Sequence, residues 1–123
     1  MHINRVREIN VILTTHNQKE QPMIRVSIMY PNQDGNTFDM EYYRHIHMPL
    51  AQRLLGATEF SIDQGIGGGM PGSPAPYLAI GYLLFESLEA FETTIVIHAP
   101  QLMADIPNYT NASPVIQISD VKS

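Results

Sequence analysis

Apolar positions alternate with polar ones across residues 23–30, Met-Ile-Arg-Val-Ser-Ile-Met-Tyr, and the run is rich in β-branched side chains. A period of two with such residues predicts a strand, which Pro31 and Asp34-Gly35 close with a turn. The period then lengthens. Tyr43, His47, Leu50 and Leu54 fall on one helical face with Ile46 beside them, while Glu41, His45 and Gln52 point elsewhere. Asp39 is suited to cap this helix, Glu41 sits near the positive end of its dipole, and Gly56 is placed to end it. Pro49 has no N–H to give to the carbonyl of His45 and disfavours helical geometry at Met48, so a kink or a restart is expected there. Residues 59–66 predict a half-exposed second strand, with Phe60, Ile62 and Ile66 on one side. A glycine- and proline-rich loop follows over residues 65–76. Residues 77–85 are apolar on both faces, as expected for a strand at the centre of a sheet. Ser87 then caps a second helix carrying Leu88, Phe91, Ile95 and His98, expected to stop at Pro100, with a short helical piece over residues 101–106. Pro114 introduces a last strand over residues 115–121, with Ile116 and Ile118 on one side.

The order β-α-β-β-α-β predicts an α+β fold of the ferredoxin-like, split βαβ type: an antiparallel four-stranded sheet with both helices on one face. The third strand then poses a difficulty. Tyr77, Ala79, Leu83 and Phe85 alternate with Leu78, Ile80, Tyr82 and Leu84, so neither face is polar enough to sit in water, and sheet-to-sheet pairing of two subunits would bury the one the helices leave uncovered. A homodimer is therefore expected. Residues 4–13 also alternate, with Ile9, Val11 and Leu13 in phase, as an edge strand or an arm against a partner would.

Length and composition narrow the possibilities. A chain of 123 residues makes one domain, and 44% apolar against 15% charged residues is low in charge for a small monomer. The net charge is −5 and the basic residues are dispersed, so nucleic acid is not an expected partner. Without cysteine, disulfides, thiolate nucleophiles and zinc–thiolate or iron–sulfur sites are excluded. The N-terminus lacks a secretory apolar core and no run approaches ~20 apolar residues, so no membrane span is expected and the cytoplasm is the default location.

Several short patterns together resemble the EthD family of the dimeric α/β-barrel superfamily, named after an ethyl tert-butyl ether degradation cluster. They are Met29-Tyr30-Pro31, Phe38-Asp39-x-x-Tyr42-Tyr43-x-x-x-His47-x-Pro49-Leu50, and Gly81-Tyr82-x-x-Phe85-x-Ser87-x-x-Ala90-Phe91, followed by residues 104–110 and 114–118. The resemblance covers residues 23–121, which implies an EthD-like barrel domain at 23–123 preceded by an extension at 1–22. The extension is read as a lineage addition or an upstream start codon. The resemblance also implies a ferredoxin-like protomer whose sheet pairs with that of a second subunit, and a small-molecule pocket between helices and sheet.

His47 is the leading candidate for chemistry. The His-x-Pro segment lies where the first helix would look into that pocket, and an imidazole can act as general acid or base near neutral pH. The competing explanation is a buried histidine that bonds a carbonyl freed by Pro49. Tyr43, one turn earlier, is the second catalytic candidate, to orient the imidazole or bind an oxygen; a plain core aromatic is the alternative. Tyr30, His98, Asp105 and Tyr109 are expected to line the pocket. For His98 the simpler account is a favourable charge at a helix C-terminus, and for Asp105, Asn108 and Tyr109 it is capping and turn formation before Pro114. His45 points away from His47, since two residues on a helix span about 200°. No metal site and no cofactor are therefore expected. The glycines of the 65–76 loop precede prolines instead of a helix, which argues against phosphate binding.

These readings combine into a cofactor-independent enzyme performing histidine-assisted proton transfer or oxidation on an aromatic, polyketide-like or lactone metabolite. Family resemblance leaves oxidoreductase and isomerase- or cyclase-like activities open. The alternative is a non-catalytic protein that binds an apolar or aromatic metabolite or assists a catabolic oxygenase. A histidine fully satisfied by protein groups would favour that alternative. Haem binding is a third option and would need a histidine free to ligate iron.

Overall fold

The computed structural model describes residues 23–123. The alternation expected of residues 4–13 lies outside them. The first run of alternating residues forms β1 (Ile24–Pro31), which pairs on one side with β3 (Tyr77–Phe85) and on the other with β4 (Val115–Asp120). β2 (Glu59–Gln64) adds to the outer side of β3, giving the order β2-β3-β1-β4 with every neighbour antiparallel. This is the ferredoxin-like arrangement. Pairing of Val26 with Leu83 and Ile118, and of Ile24 with Phe85, sets one sheet face against the helices. Ile24, Val26, Tyr30, Ala79, Leu83 and Phe85 are buried there. The opposite face carries Arg25, Ser27 and Met29 of β1 and Leu78, Ile80, Tyr82 and Leu84 of β3, all only half-buried. β2 ends before Ile66, which is 98% exposed, because pairing with β3 finishes at Gln64.

The first helix, α1, occupies residues 40–55 in three parts. A turn of α-helix (Met40–Tyr42) runs into a π-helical stretch (Tyr43–His47) and then a second α-helical part (Met48–Leu55). Asp39 caps the start by accepting the Tyr42 N–H at 3.1 Å, and Gly56 ends the helix at φ +75°. The π stretch answers the question posed by Pro49. Just before the proline the Met48 N–H reaches back five residues to the Tyr43 carbonyl, inserting one extra residue into the turn, so the helix widens there. An inserted residue rotates everything after it by about 100°. The buried stripe therefore passes through Tyr43, His47, Met48, Ala51 and Leu55, whereas Leu50 and Leu54, expected on it, are half-buried. Ile46 is 50% exposed.

The second helix, α2 (Leu88–Asp105), departs further from expectation, for Pro100 lies inside it. Ser87 caps it as expected, its hydroxyl accepting the Ala90 N–H at 3.1 Å. Proline removes one backbone bond. The apolar stripe through Phe91, Ile95, Ala99, Leu102 and Ile106 continues across it and keeps the helix on the core. The separate piece expected at 101–106 is thus the last turn of α2, continued by a 3₁₀ turn (Ile106–Asn108). No helix among the described residues is long and apolar enough to cross a membrane. The 65–76 loop is exposed almost throughout and leads straight into β3, so no helix N-terminus follows its glycines.

Candidate functional site

His47 closes the π-helical stretch and is 6% exposed. Its Nδ1 lies 2.8 Å from Oδ2 of Asp105, 58 residues away on the last turn of α2. The other carboxylate oxygen, Oδ1, accepts the Tyr42 hydroxyl at 2.7 Å and the Asn108 amide at 2.9 Å. Both elements must end where they do for this to form: α2 has to run past Pro100 to reach Asp105, and the 3₁₀ turn brings Asn108 back onto the carboxylate. Burial opposes ionisation of Asp105, but the hydrogen bonds from Tyr42, His47 and Asn108 outweigh it and hold the carboxyl below its usual range. For His47 burial prevails over the nearby carboxylate and pushes the imidazole below its ordinary value. At neutral pH the pair is thus a neutral imidazole and a carboxylate. Since an ionised carboxylate only accepts, the imidazole proton sits on Nδ1 and Nε2 is left with its lone pair. Nε2 has no hydrogen-bond partner among the described residues.

Aromatic rings surround this pair. Tyr43 stacks on His47 with centroids 5.7 Å apart and planes 14° from parallel, and Tyr109 packs against it at 4.6 Å. Tyr30, Phe38, Tyr43 and Tyr109 meet one another at centroid separations from 4.9 to 5.8 Å, mostly edge to face. The Tyr30 and Tyr109 hydroxyls bond each other at 2.6 Å. Burial raises both above the usual phenol range, so both stay protonated. Tyr43 is fully buried, and its hydroxyl, although close to that of Tyr30, makes no hydrogen bond of ordinary length and angle. Burial, with Tyr30 alongside, pushes it far above the ordinary phenol value.

Between α1, α2 and the sheet lies a cavity of about 200 Å³. Val26, Met48, Leu83, Phe91 and Leu102 are among its walls, and Tyr30, Tyr43 and His47 are its lining residues with oxygen or nitrogen in the side chain. No Lys, Arg, Asp or Glu lines it. A shallower concavity lies elsewhere, over Thr37, Phe38, Asp39, Asn108 and Tyr109, without His47 or Asp105 in its walls.

Of the residues singled out by the sequence, His47, Tyr43 and Tyr30 stand on the inner cavity together. Tyr43 stacks on the imidazole and does not hydrogen-bond it. The hydrogen bond to the ring is made by Asp105, through Nδ1. Asp105 stands behind His47 instead of on the cavity wall, and Tyr109 packs on the ring from the side of the shallow concavity. His98 is half-buried, off the cavity, and not paired with His47. Pro100 does not end the helix, so His98 is mid-helix and the carboxylate one turn beyond the proline arrives instead. Tyr42 and Asn108 were not singled out for this chemistry. Their signal was the placement of Tyr42 beside Tyr43 and of Asn108 three residues after Asp105. No group of three or more His, Asp or Glu side chains among the described residues is arranged to hold a metal ion.

The comparisons with known proteins agree with the fold. The chain is 35% identical to a solved EthD-like protein from Ralstonia eutropha JMP134, with a TM-score of 0.79 over 84% of this chain and 95% of that one. An ethyl tert-butyl ether degradation (EthD) family protein from Bacillus halodurans C-125 aligns over 81% of this chain and 99% of its own, at 15% identity and a TM-score of 0.62. A dimeric protein of unknown function with a ferredoxin-like fold from Bacteroides fragilis aligns at 11% identity over 80% of this chain and 96% of its own, with a TM-score of 0.50. No curated protein matches the chain. The model of the EthD domain matches residues 35–113, which include α1 with His47 and the Asp105 turn, and the chain belongs to the EthD family.

Proposed function

We propose that the protein is a cofactor-independent catalyst of proton transfer on a small organic metabolite, with His47 as general base and Asp105 as the residue that positions it. One observation carries this reading: Nδ1 is committed to the Asp105 carboxylate, which leaves Nε2 unprotonated and without a partner among the described residues, and the His47 ring stands on the wall of the apolar cavity. Nε2 takes a proton from a carbon next to a carbonyl, and the electron pair moves onto the carbonyl oxygen as an enolate. Return of the proton at another position completes an isomerisation, or the enolate carbon bonds to a second carbonyl carbon of the same molecule, whose oxygen takes the proton, and a ring is closed. No oxidant is required. Asp105 steadies the imidazolium that forms, and such a placed base contributes ~10²–10⁴-fold. A merely stored or presented metabolite would not need a free Nε2, which weighs against the accessory-protein alternative. The half-buried strip of Met29, Ile80, Tyr82 and Leu84 supports a homodimer formed sheet against sheet. The similar fold of a dimeric protein from Bacteroides fragilis is in keeping with it.

The test is exchange of acidic C–H protons for deuterium, followed by NMR over a panel of small cyclic ketones, lactones and 1,3-diketones. Wild-type protein accelerates exchange for at least one compound, His47→Gln abolishes the acceleration, and Asp105→Asn reduces it. Equal rates with His47→Gln and wild type would refute the base assignment and leave the accessory reading. Sedimentation of Ile80→Asp, expected to give a monomer where wild type gives a dimer, tests the pairing.

A further inference from the structure

The cavity behind His47 holds a feature that packing alone does not account for. The Tyr43 hydroxyl is fully buried beside that of Tyr30, makes no hydrogen bond of ordinary length and angle, and is the single buried side-chain polar atom of the described residues left so. Phenylalanine would fill the same space without that cost, because an unmade buried hydrogen bond forfeits the hydration of the group. The sheet also makes room for the hydroxyl. A Cβ built at Gly81 collides with Tyr43 Oη and would come within 3.1 Å of the Met48 methyl, so the middle of β3 has no side chain where the hydroxyl sits. Natural structures leave very few such groups without a purpose. Tyr43 shares the cavity with His47, and the rest of the lining, Tyr30 apart, is apolar and uncharged.

Resting on the proton-transfer reading, we infer that this cavity takes an uncharged molecule of about one ring bearing a single carbonyl or hydroxyl oxygen, and that the Tyr43 hydroxyl, uncovered when the ligand displaces the flexible Met48 side chain near it, is the group that binds this oxygen. Size sets the upper bound. A space of about 200 Å³ lies below the range that admits drug-sized ligands, roughly 300–1,000 Å³. Charge sets the second bound. A carboxylate or phosphate entering the cavity would lose its hydration with no lysine or arginine in the walls to replace it. Because Tyr43 stays protonated, it donates to the ligand oxygen, and it would hold the negative charge gathering there as Nε2 removes a proton. The hydroxyl thus discriminates between a ring that carries an oxygen and one that does not.

The experiment measures binding of phenol, cyclohexanone, benzene and benzoate to the full chain by calorimetry and by thermal shift, for wild type, Tyr43→Phe, His47→Gln and Ala99→Leu. Phenol or cyclohexanone binds wild type about tenfold or more tighter than benzene, the factor expected of one hydrogen bond, and benzoate binds more weakly than either. Tyr43→Phe melts no lower than wild type without ligand, since it loses only an unpaired group, and it no longer prefers phenol over benzene. His47→Gln keeps that preference, so loss of base catalysis and loss of recognition are separable. Ala99→Leu, which fills part of the cavity, weakens all the neutral probes. The inference is overturned if Tyr43→Phe keeps the preference or is clearly less stable, if benzoate binds as tightly as phenol, or if Ala99→Leu leaves binding unchanged.

Discussion

Replacing Asp105 by asparagine probes the link between the two helices most directly. The carboxylate accepts three hydrogen bonds, from His47 at 2.8 Å, Tyr42 at 2.7 Å and Asn108 at 2.9 Å. The amide keeps one acceptor oxygen, so the bond from His47 survives in neutral form while the donor of Asn108 meets another donor. A bond to a charged group contributes ~1.5–3 kcal/mol and a neutral one ~0.5–1.5 kcal/mol. The Asn108 contact is exposed and adds little. The expected loss is therefore ~1–2 kcal/mol, or ~4–8 °C in melting temperature for a domain of this size. Asp105→Ala leaves the His47 N–H with no acceptor and should cost ~2–4 kcal/mol.

The charge itself is read through His47. Burial holds its folded pKa below 6.5 and the carboxylate opposes that, so removing the charge must lower the pKa further. Because the folded value lies below the unfolded one, the unfolded chain binds more protons between them, and the stability this group contributes is lost as pH falls from about 6.5 through the folded pKa. Asp105 adds a second loss, from about 3.8 down through its own depressed pKa, which Asp105→Asn removes. Urea unfolding across pH and NMR titration of the His47 ring measure both effects. An Asp105→Asn protein with unchanged stability, or with a His47 titration moved upward, would refute the pairing as the determinant of this imidazole.

Two further perturbations test the packing. Gly81→Ala drives a methyl into the Tyr43 hydroxyl and should destabilise by ~1–3 kcal/mol, with much of the loss recovered when Tyr43→Phe is added; a purely additive double mutant in urea unfolding would contradict the close approach. Pro100→Ala restores the donor that α2 lacks at an exposed position and should raise stability by ~1–3 kcal/mol, whereas a lower melting temperature would mean the proline is needed to seat the turn that carries Asp105.

Much of the framework could be read locally. Alternation marked β1, β2 and β4, while Asp39, Ser87 and Gly56 marked helix ends, because a strand's period and a cap's hydrogen bond involve residues within a few positions of one another. The two-faced pattern of β3 likewise located it inside the sheet. His47 and Tyr43 could be nominated from their place on one helical face. Where the local rules failed, a tertiary force had overridden them. Pro49 was expected to kink the helix, and the chain instead inserted a residue in the preceding turn, moving burial from Leu50 and Leu54 to Ala51 and Leu55. Pro100 was expected to stop a helix that packing on the core carried through it, although Leu102 and Ile106 already continued the stripe. The partner of His47 followed from that second departure. A contact across 58 residues depends on where α2 ends in space, and no spacing rule connects a histidine on one helix to a carboxylate on another. The sequence by itself determined the elements, their order and the residues able to do chemistry, since those rest on local periodicity and side-chain type. Only the tertiary structure decided which nitrogen of His47 is tied, which is free, and which buried hydroxyl is left without a partner, because these are properties of groups brought together by packing.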